Sequence, residues 1–237
     1  MNAPTAGSNR IWPNWWRFGG IDGIIWAVLF VIGAIVLQGD TPMRSDSTES
    51  IRQYFVDDGQ KYLVGDFLIG VAFFIFFIPY VIALRWVLGS AEGSPPIWSW
   101  MAFTGGVTAT VVGFVSGLTW AALALGLKDN PQLDDATIRL MMDLNAVGFA
   151  GVTIAVALFV GASGFVIFRT GVLWRWLGVL GLGTAVLLII GSAWTIDGDD
   201  EGGLAIAFFI GLPLSLLFVV ISSIGMIMRK DPPAQLA

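Results

Sequence analysis

The sequence predicts an all-α fold, a polytopic membrane helical bundle of six transmembrane helices plus a short outer amphipathic helix. Three observations carry this. Of 237 residues, 56% are hydrophobic and 12% charged, about half the charged share of a soluble domain. Uninterrupted apolar runs recur six times along the chain, each long enough to cross a hydrocarbon core about 30 Å thick. The segments between them alternate in charge, basic and then acidic.

The spans fall at 21–38, 63–88, 99–126, 142–168, 173–196 and 204–228. A helix rises about 1.5 Å per residue, so roughly 20 residues suffice. Spans one, five and six fit that length; two, three and four exceed it and must tilt, kink or protrude. Pro79 and Pro213 are the expected kinks. The first span is read as a helix and not a cleaved signal: its apolar run outlasts an h-region, and Gln38-Gly39-Asp40-Thr41-Pro42 offers no small-x-small site.

The chain divides accordingly into a cytoplasmic interfacial segment (1–20), a transmembrane domain (21–228) and a cytoplasmic tail (229–237). Orientation comes from the loops. Residues 1–20, 85–98, 169–172 and 229–237, with the adjoining helix ends, hold seven basic residues against three acidic ones. The other set holds five against fourteen. The positive-inside rule counts Lys and Arg, and places both termini in the cytoplasm of a bacterial inner membrane. Tryptophans 12, 15, 16, 86, 98, 100, 174 and 176 gather on that same side, as amphipathic indoles do at headgroup level.

Within the 40–62 loop, residues 46–59 read as the amphipathic helix. Asp46 or Ser47 caps it, Ile51, Tyr54 and Phe55 share a face, and Gly59 ends it. It is expected to lie on the outer surface, or to act as a lid over an outward pocket.

The absent residue types exclude much chemistry. There is no Cys and no His, which removes disulfides, thiolate nucleophiles, His-ligated haem and most transition-metal centres. No cofactor and no metal site is expected. The lysines, Lys61, Lys128 and Lys230, all lie in loops or the tail, which argues against an intramembrane Schiff base. A net charge of −5 with no basic patch argues against nucleic acid.

Ionisable residues inside a membrane are the default functional candidates. Asp66 and Asp143 are the foremost, with Trp120 beside them as an outward-side ligand-binding cluster. The competing reading makes both acids partners of outward helix N-termini, although a fourth helix starting near Asp134 or Asp135 would leave Asp143 two turns too deep. Asp22 is read as an acid at the N-terminus of the first span. The aspartyl intramembrane protease pattern fails, because residues 63–66 read Leu-Val-Gly-Asp and not Gly-x-Gly-Asp. Asp197-Gly-Asp199-Asp-Glu201-Gly202 opens like a calcium loop, but its twelfth position is Phe208. Gly113 and Gly117, Gly148 and Gly151, Gly161 and Gly164, and Gly178 and Gly181 permit close helix approach. Gly178-Val-Leu-Gly181-Leu-Gly183 lacks the strand and acidic partner of a dinucleotide site. Thr104, Thr108, Thr110, Ser116 and Thr119 either bond their own helix or line a cavity.

Several short motifs carry a resemblance: Ile51-Arg-Gln-Tyr-Phe55, Tyr62-Leu-Val-Gly65, Leu84-Arg85 with Ala91-Glu92-Gly93, Asp143-Leu-Asn145, and Arg169-Thr-Gly-Val-Leu-Trp174-Arg-Trp-Leu-Gly178. On these the chain resembles a broad group of six-helix bacterial membrane proteins of unassigned function, common in high-GC Gram-positive genomes. The resemblance implies the architecture and nothing catalytic. The expected function is therefore the binding or movement of a small apolar or lipid-like ligand from an outward-side cavity, with membrane lipids as neighbours. The alternative is a structural subunit, forming a homo- or hetero-oligomer through its glycine-rich faces. No nucleophile–base pair points to an enzyme.

Overall fold

The computed structural model describes residues 14–197 and 202–229, and all regular structure among them is helical. Six helices are long and apolar enough to cross a membrane: α1 (Trp15–Leu37), α2 (Thr48–Glu92), α3 (Ile97–Asp129), α4 (Asp135–Thr170), α5 (Arg175–Ser192) and α7 (Gly203–Met228). A single turn, α6 (Trp194–Asp197), follows α5. The chain is a multi-pass membrane protein by this measure. Arg10, Trp12, most of the acidic 197–202 turn and the tail from 230 lie outside the described residues.

The six long helices form a closed ring. Each packs on the next in sequence, and α7 returns to pack on α1. The Arg17 guanidinium donates to the Arg229 carbonyl at 2.9 Å, so the two ends of the described chain meet at one face of the bundle, the terminal face. The centre of the ring is filled. Tyr80, Phe159 and Phe218 are all buried there, joined edge to face with ring centroids 6.2–6.3 Å apart. The Tyr80 hydroxyl and Ser222 Oγ share a hydrogen bond of 2.6 Å, which satisfies polar atoms that lipid could not.

Close backbone contact explains several of the glycines. A Cβ on Gly164 would lie 2.8 Å from the Gly178 carbonyl oxygen, and one on Gly105 would lie 2.6 Å from the Phe159 nitrogen. Gly20 meets the Ser223 carbonyl and Gly191 meets Phe208 in the same way. Without side chains at these points the helices approach to van der Waals contact, the main attraction between helices in lipid. The threonines and serines bond locally: Thr110 to Gly106, Ser116 to Val112 and Thr119 to Ser116, all through backbone carbonyls.

The amphipathic segment is helical but not separate. Ser47 caps it, its Oγ accepting from the Ser50 nitrogen at 3.1 Å. It does not stop at Gly59; the helix runs on unbroken to Glu92. At 45 residues it is about 67 Å long, twice the hydrocarbon thickness. Packing overrides the glycine here. The far ends of α3 and α4 also project, and give Ile51, Phe55 and Tyr62 a second apolar cluster to complete, with Leu123, Leu127, Ile138 and Met142. The extra length of spans two, three and four is thus a three-helix extension at the far face. Farther along α2, a π turn at Ala72–Phe77 precedes Pro79. Pro79 has no N–H to give to the carbonyl four residues back, and the wider turn accommodates its ring.

At the terminal face, Glu92 caps α3: its two carboxylate oxygens accept from the Trp98 and Ser99 nitrogens at 2.7 and 2.9 Å. Arg85 stacks 3.7 Å over the Trp100 ring, and Trp174 stacks on Trp176.

Candidate functional site

The far-face extension is tied at the α3–α4 connection by a cap and an arginine. Asp134 precedes α4 in extended conformation. Its carboxylate accepts from the Thr137 nitrogen at 2.9 Å and from the Thr137 hydroxyl at 2.7 Å. These bonds favour the charged form and hold its carboxyl below the ordinary carboxylate value. Arg52, from the first turns of α2, reaches the α3–α4 connection. It donates to the Pro131 carbonyl at 2.7 Å and to Asp135 at 2.8 Å.

The 38–47 segment then lies across the extension as a strap, held at three points. Tyr54 donates its hydroxyl to the Gln38 carbonyl at 2.6 Å. Arg44 pairs with Asp143 at 2.7 Å. Arg139, one turn before Asp143, donates to the Arg44 carbonyl at 2.7 Å and to the Asp46 carbonyl at 2.5 Å. Arg139 and Arg44 therefore interlock, each reaching across to the other's helix or strap.

Of the three residues singled out from sequence, two lie on one seam and the third on another. Asp66 sits on α2, eighteen residues beyond the helix start at Thr48, far past the reach of a helix dipole. Its carboxylate rests against α3 at Gly117, where a Cβ would come within 2.8 Å of Oδ1. Asp66 is half-buried and makes no hydrogen bond or ion pair with any described residue. One turn along α3, Trp120 packs between Phe55 and Tyr62, with ring centroids 5.9 and 5.7 Å away. Its Nε1 is buried without an acceptor among the described residues. Asp143 belongs to α4, two turns beyond its start as the Asp134 cap implies, and is engaged by Arg44. The neighbouring Asn145 turns inward and donates to the Ser116 carbonyl at 3.0 Å.

At this level Phe55, Tyr62 and Trp120 pack together as an aromatic cluster between α2 and α3. The glycine faces do not lie open. Gly148 meets Ser116, Gly151 meets Val112, and Gly161 meets Ala185, all within the chain. Gly117 is occupied by Asp66.

Two residues gain weight that sequence reading did not give them. In the sequence Arg139 is only one of the five basic residues on the acidic side; its role needs the strap folded back onto α4, and no local pattern signals that. The sequence reads Asp22 as an acid at a helix N-terminus, but α1 starts at Trp15, so Asp22 lies two turns in. The signal was available: Trp15, Trp16, Gly19, Gly20 and Gly23 already follow helical spacing.

A family profile described as a domain of unknown function, DUF4386, matches residues 20–227. No curated protein and no solved structure matches the chain.

Proposed function

The chain belongs to the DUF4386 family, and from that premise we propose that it is a multi-pass protein of the bacterial inner membrane, with both termini cytoplasmic, that binds a small apolar or lipid-like ligand at the Asp66–Trp120 seam near the outer face. One observation carries the reading: a half-buried carboxylate eighteen residues into its helix makes no hydrogen bond or ion pair with any described residue, and the buried Trp120 N–H on the facing helix has no acceptor among them. Unpartnered polar groups in an apolar setting are costly and are retained where something else completes them. A mostly apolar molecule with one hydroxyl fits that need, because it can donate to Asp66 and accept from Trp120. Entry requires the strap and the Phe55–Tyr62–Trp120 cluster to part.

The alternative, a subunit assembling through glycine-rich faces, is less supported, because those faces are spent on contacts within the bundle. The test is native mass spectrometry of the protein released from mild detergent, with extraction of whatever is bound. The binding reading expects a stoichiometric ligand that is lost from Asp66→Asn while the protein stays folded. Clean protein masses for wild type, as a monomer or a defined oligomer, would refute it.

A further inference from the structure

A second intramembrane carboxylate lies at the opposite face, independent of the Asp66 seam. Asp22 is seven residues into α1, about 10 Å along the axis from Trp15. It lines a crevice of about 400 Å³ between α1 and α2, together with Trp15, Phe18, Gly19, Pro79 and Ile82. That volume is in the range of small-molecule sites. The crevice opens sideways: Phe18 is 57% exposed and Ile82 44% exposed, and both belong to helices that face lipid. Trp15, Phe18 and Asp22 fall on one face of α1 by their three- and four-residue spacing.

Neither nearby arginine of known engagement answers Asp22. The Arg17 guanidinium is turned to the Arg229 carbonyl, and Arg85 lies over Trp100. Asp22 makes no hydrogen bond or ion pair with any described residue. Its position inside the first span is beyond the helix-dipole benefit, which fades after the first turn. A carboxylate here is expensive in hydrocarbon unless a cation meets it.

We propose that this crevice binds an organic ammonium ion with an apolar tail, its nitrogen against the Asp22 carboxylate and its tail along Phe18 and Ile82. Two aromatic rings beside a carboxylate are what such an ion requires: the ring faces attract its positive charge and the carboxylate pairs with it. The occupant is a free amphiphilic amine and not a phospholipid head group. A zwitterionic head group would bring its phosphate within a few atoms of the nitrogen, and none of the six lining residues is cationic.

The test uses the full chain in nanodiscs of phosphatidylglycerol, a lipid without nitrogen. The probe is dodecylamine with a diazirine in its chain, and the control is the matching diazirine alcohol. After illumination, labelled peptides are mapped by mass spectrometry. The amine is expected to label the stretches around 15–22 and 79–82, to be displaced by plain dodecylamine, and to lose about tenfold or more of that labelling in Asp22→Asn. The alcohol is expected to label lipid-facing helices without preference. Equal labelling of the crevice by amine and alcohol in wild type overturns the proposal, whether or not Asp22→Asn folds. So does unchanged labelling in that variant. Displacement by added phosphatidylethanolamine as effective as by dodecylamine overturns the assignment to a free amine.

Discussion

Arg139→Met is expected to free the far-face strap without loosening the bundle. Arg139 makes two charge-assisted bonds to strap carbonyls, at 2.7 and 2.5 Å. Such bonds are worth about 1.5–3 kcal/mol when well shielded; this side chain is only half-buried, so about 1 kcal/mol each is the fitting figure. Losing both, about 2 kcal/mol, raises the opening equilibrium of residues 39–46 by roughly 30-fold. The Arg44–Asp143 pair gives a scale for comparison. Its side chains are 37% and 50% exposed, and a pair of that kind contributes about 0.5 kcal/mol. Arg44→Gln should therefore raise opening only about twofold. The assay is amide hydrogen exchange in nanodiscs, read on peptides covering the strap and, as a reference, α4 and α5. If Arg139→Met accelerates strap exchange no more than Arg44→Gln does, the carbonyl clamp is not what holds the strap. If exchange rises equally along α4 and α5, the residue supports the whole bundle and the reasoning fails.

Three further outcomes follow from the packing. Gly164→Ala should lower thermal stability in detergent by the equivalent of about 1–3 kcal/mol, because the new methyl meets backbone that cannot yield; Gly183→Ala, with nothing within 4 Å, should leave it unchanged or slightly raised. Phe55→Ala should cost about 3–5 kcal/mol, since the ring is 2% exposed, and should speed amide exchange over residues 48–62; unchanged exchange there would mean that the cluster does not depend on Phe55. The Asp134 cap sets a pH dependence. Its folded value is below the ordinary 3.8, so its contribution is complete above 3.8 and is lost as pH falls through the lowered folded value; protection of the first turn of α4 should fade in that acid window, and Asp134→Ala should abolish the dependence.

The span count and order were legible because each depends on local composition. A run such as 204–228 states its solvent without reference to the rest of the chain. The caps were legible for the same reason: Ser47 and the Asp134–Thr137 pair are contained within four residues. Helix ends governed by partners were not. Gly59 reads as a stop, and the helix passes through it because Leu123, Leu127 and Ile138, more than sixty residues away, bury its neighbours. The candidate acids show the same division. That Asp143 is two turns into α4 could be inferred from the cap; that it holds Arg44 could not, because the partner is 99 residues distant. The seating of Asp66 on Gly117 likewise joins two positions that only the α2–α3 crossing brings together.

The closed ring has a consequence for how the protein is made. Part of the seat of α1 lies on α7, where Gly20 and Gly23 meet Ser223 and Ile227, and α7 leaves the ribosome after the other five long helices of the ring. At roughly 5–20 residues per second, the two hundred residues between them take about 10–40 s to synthesise. For that interval α1 stands in the bilayer with one flank uncovered by its own chain. The first helix of the ring is therefore among the last of the ring to be enclosed, and a chain stalled before α7 would leave its glycines and Ser223-facing surface to whatever the insertion machinery or the lipid supplies.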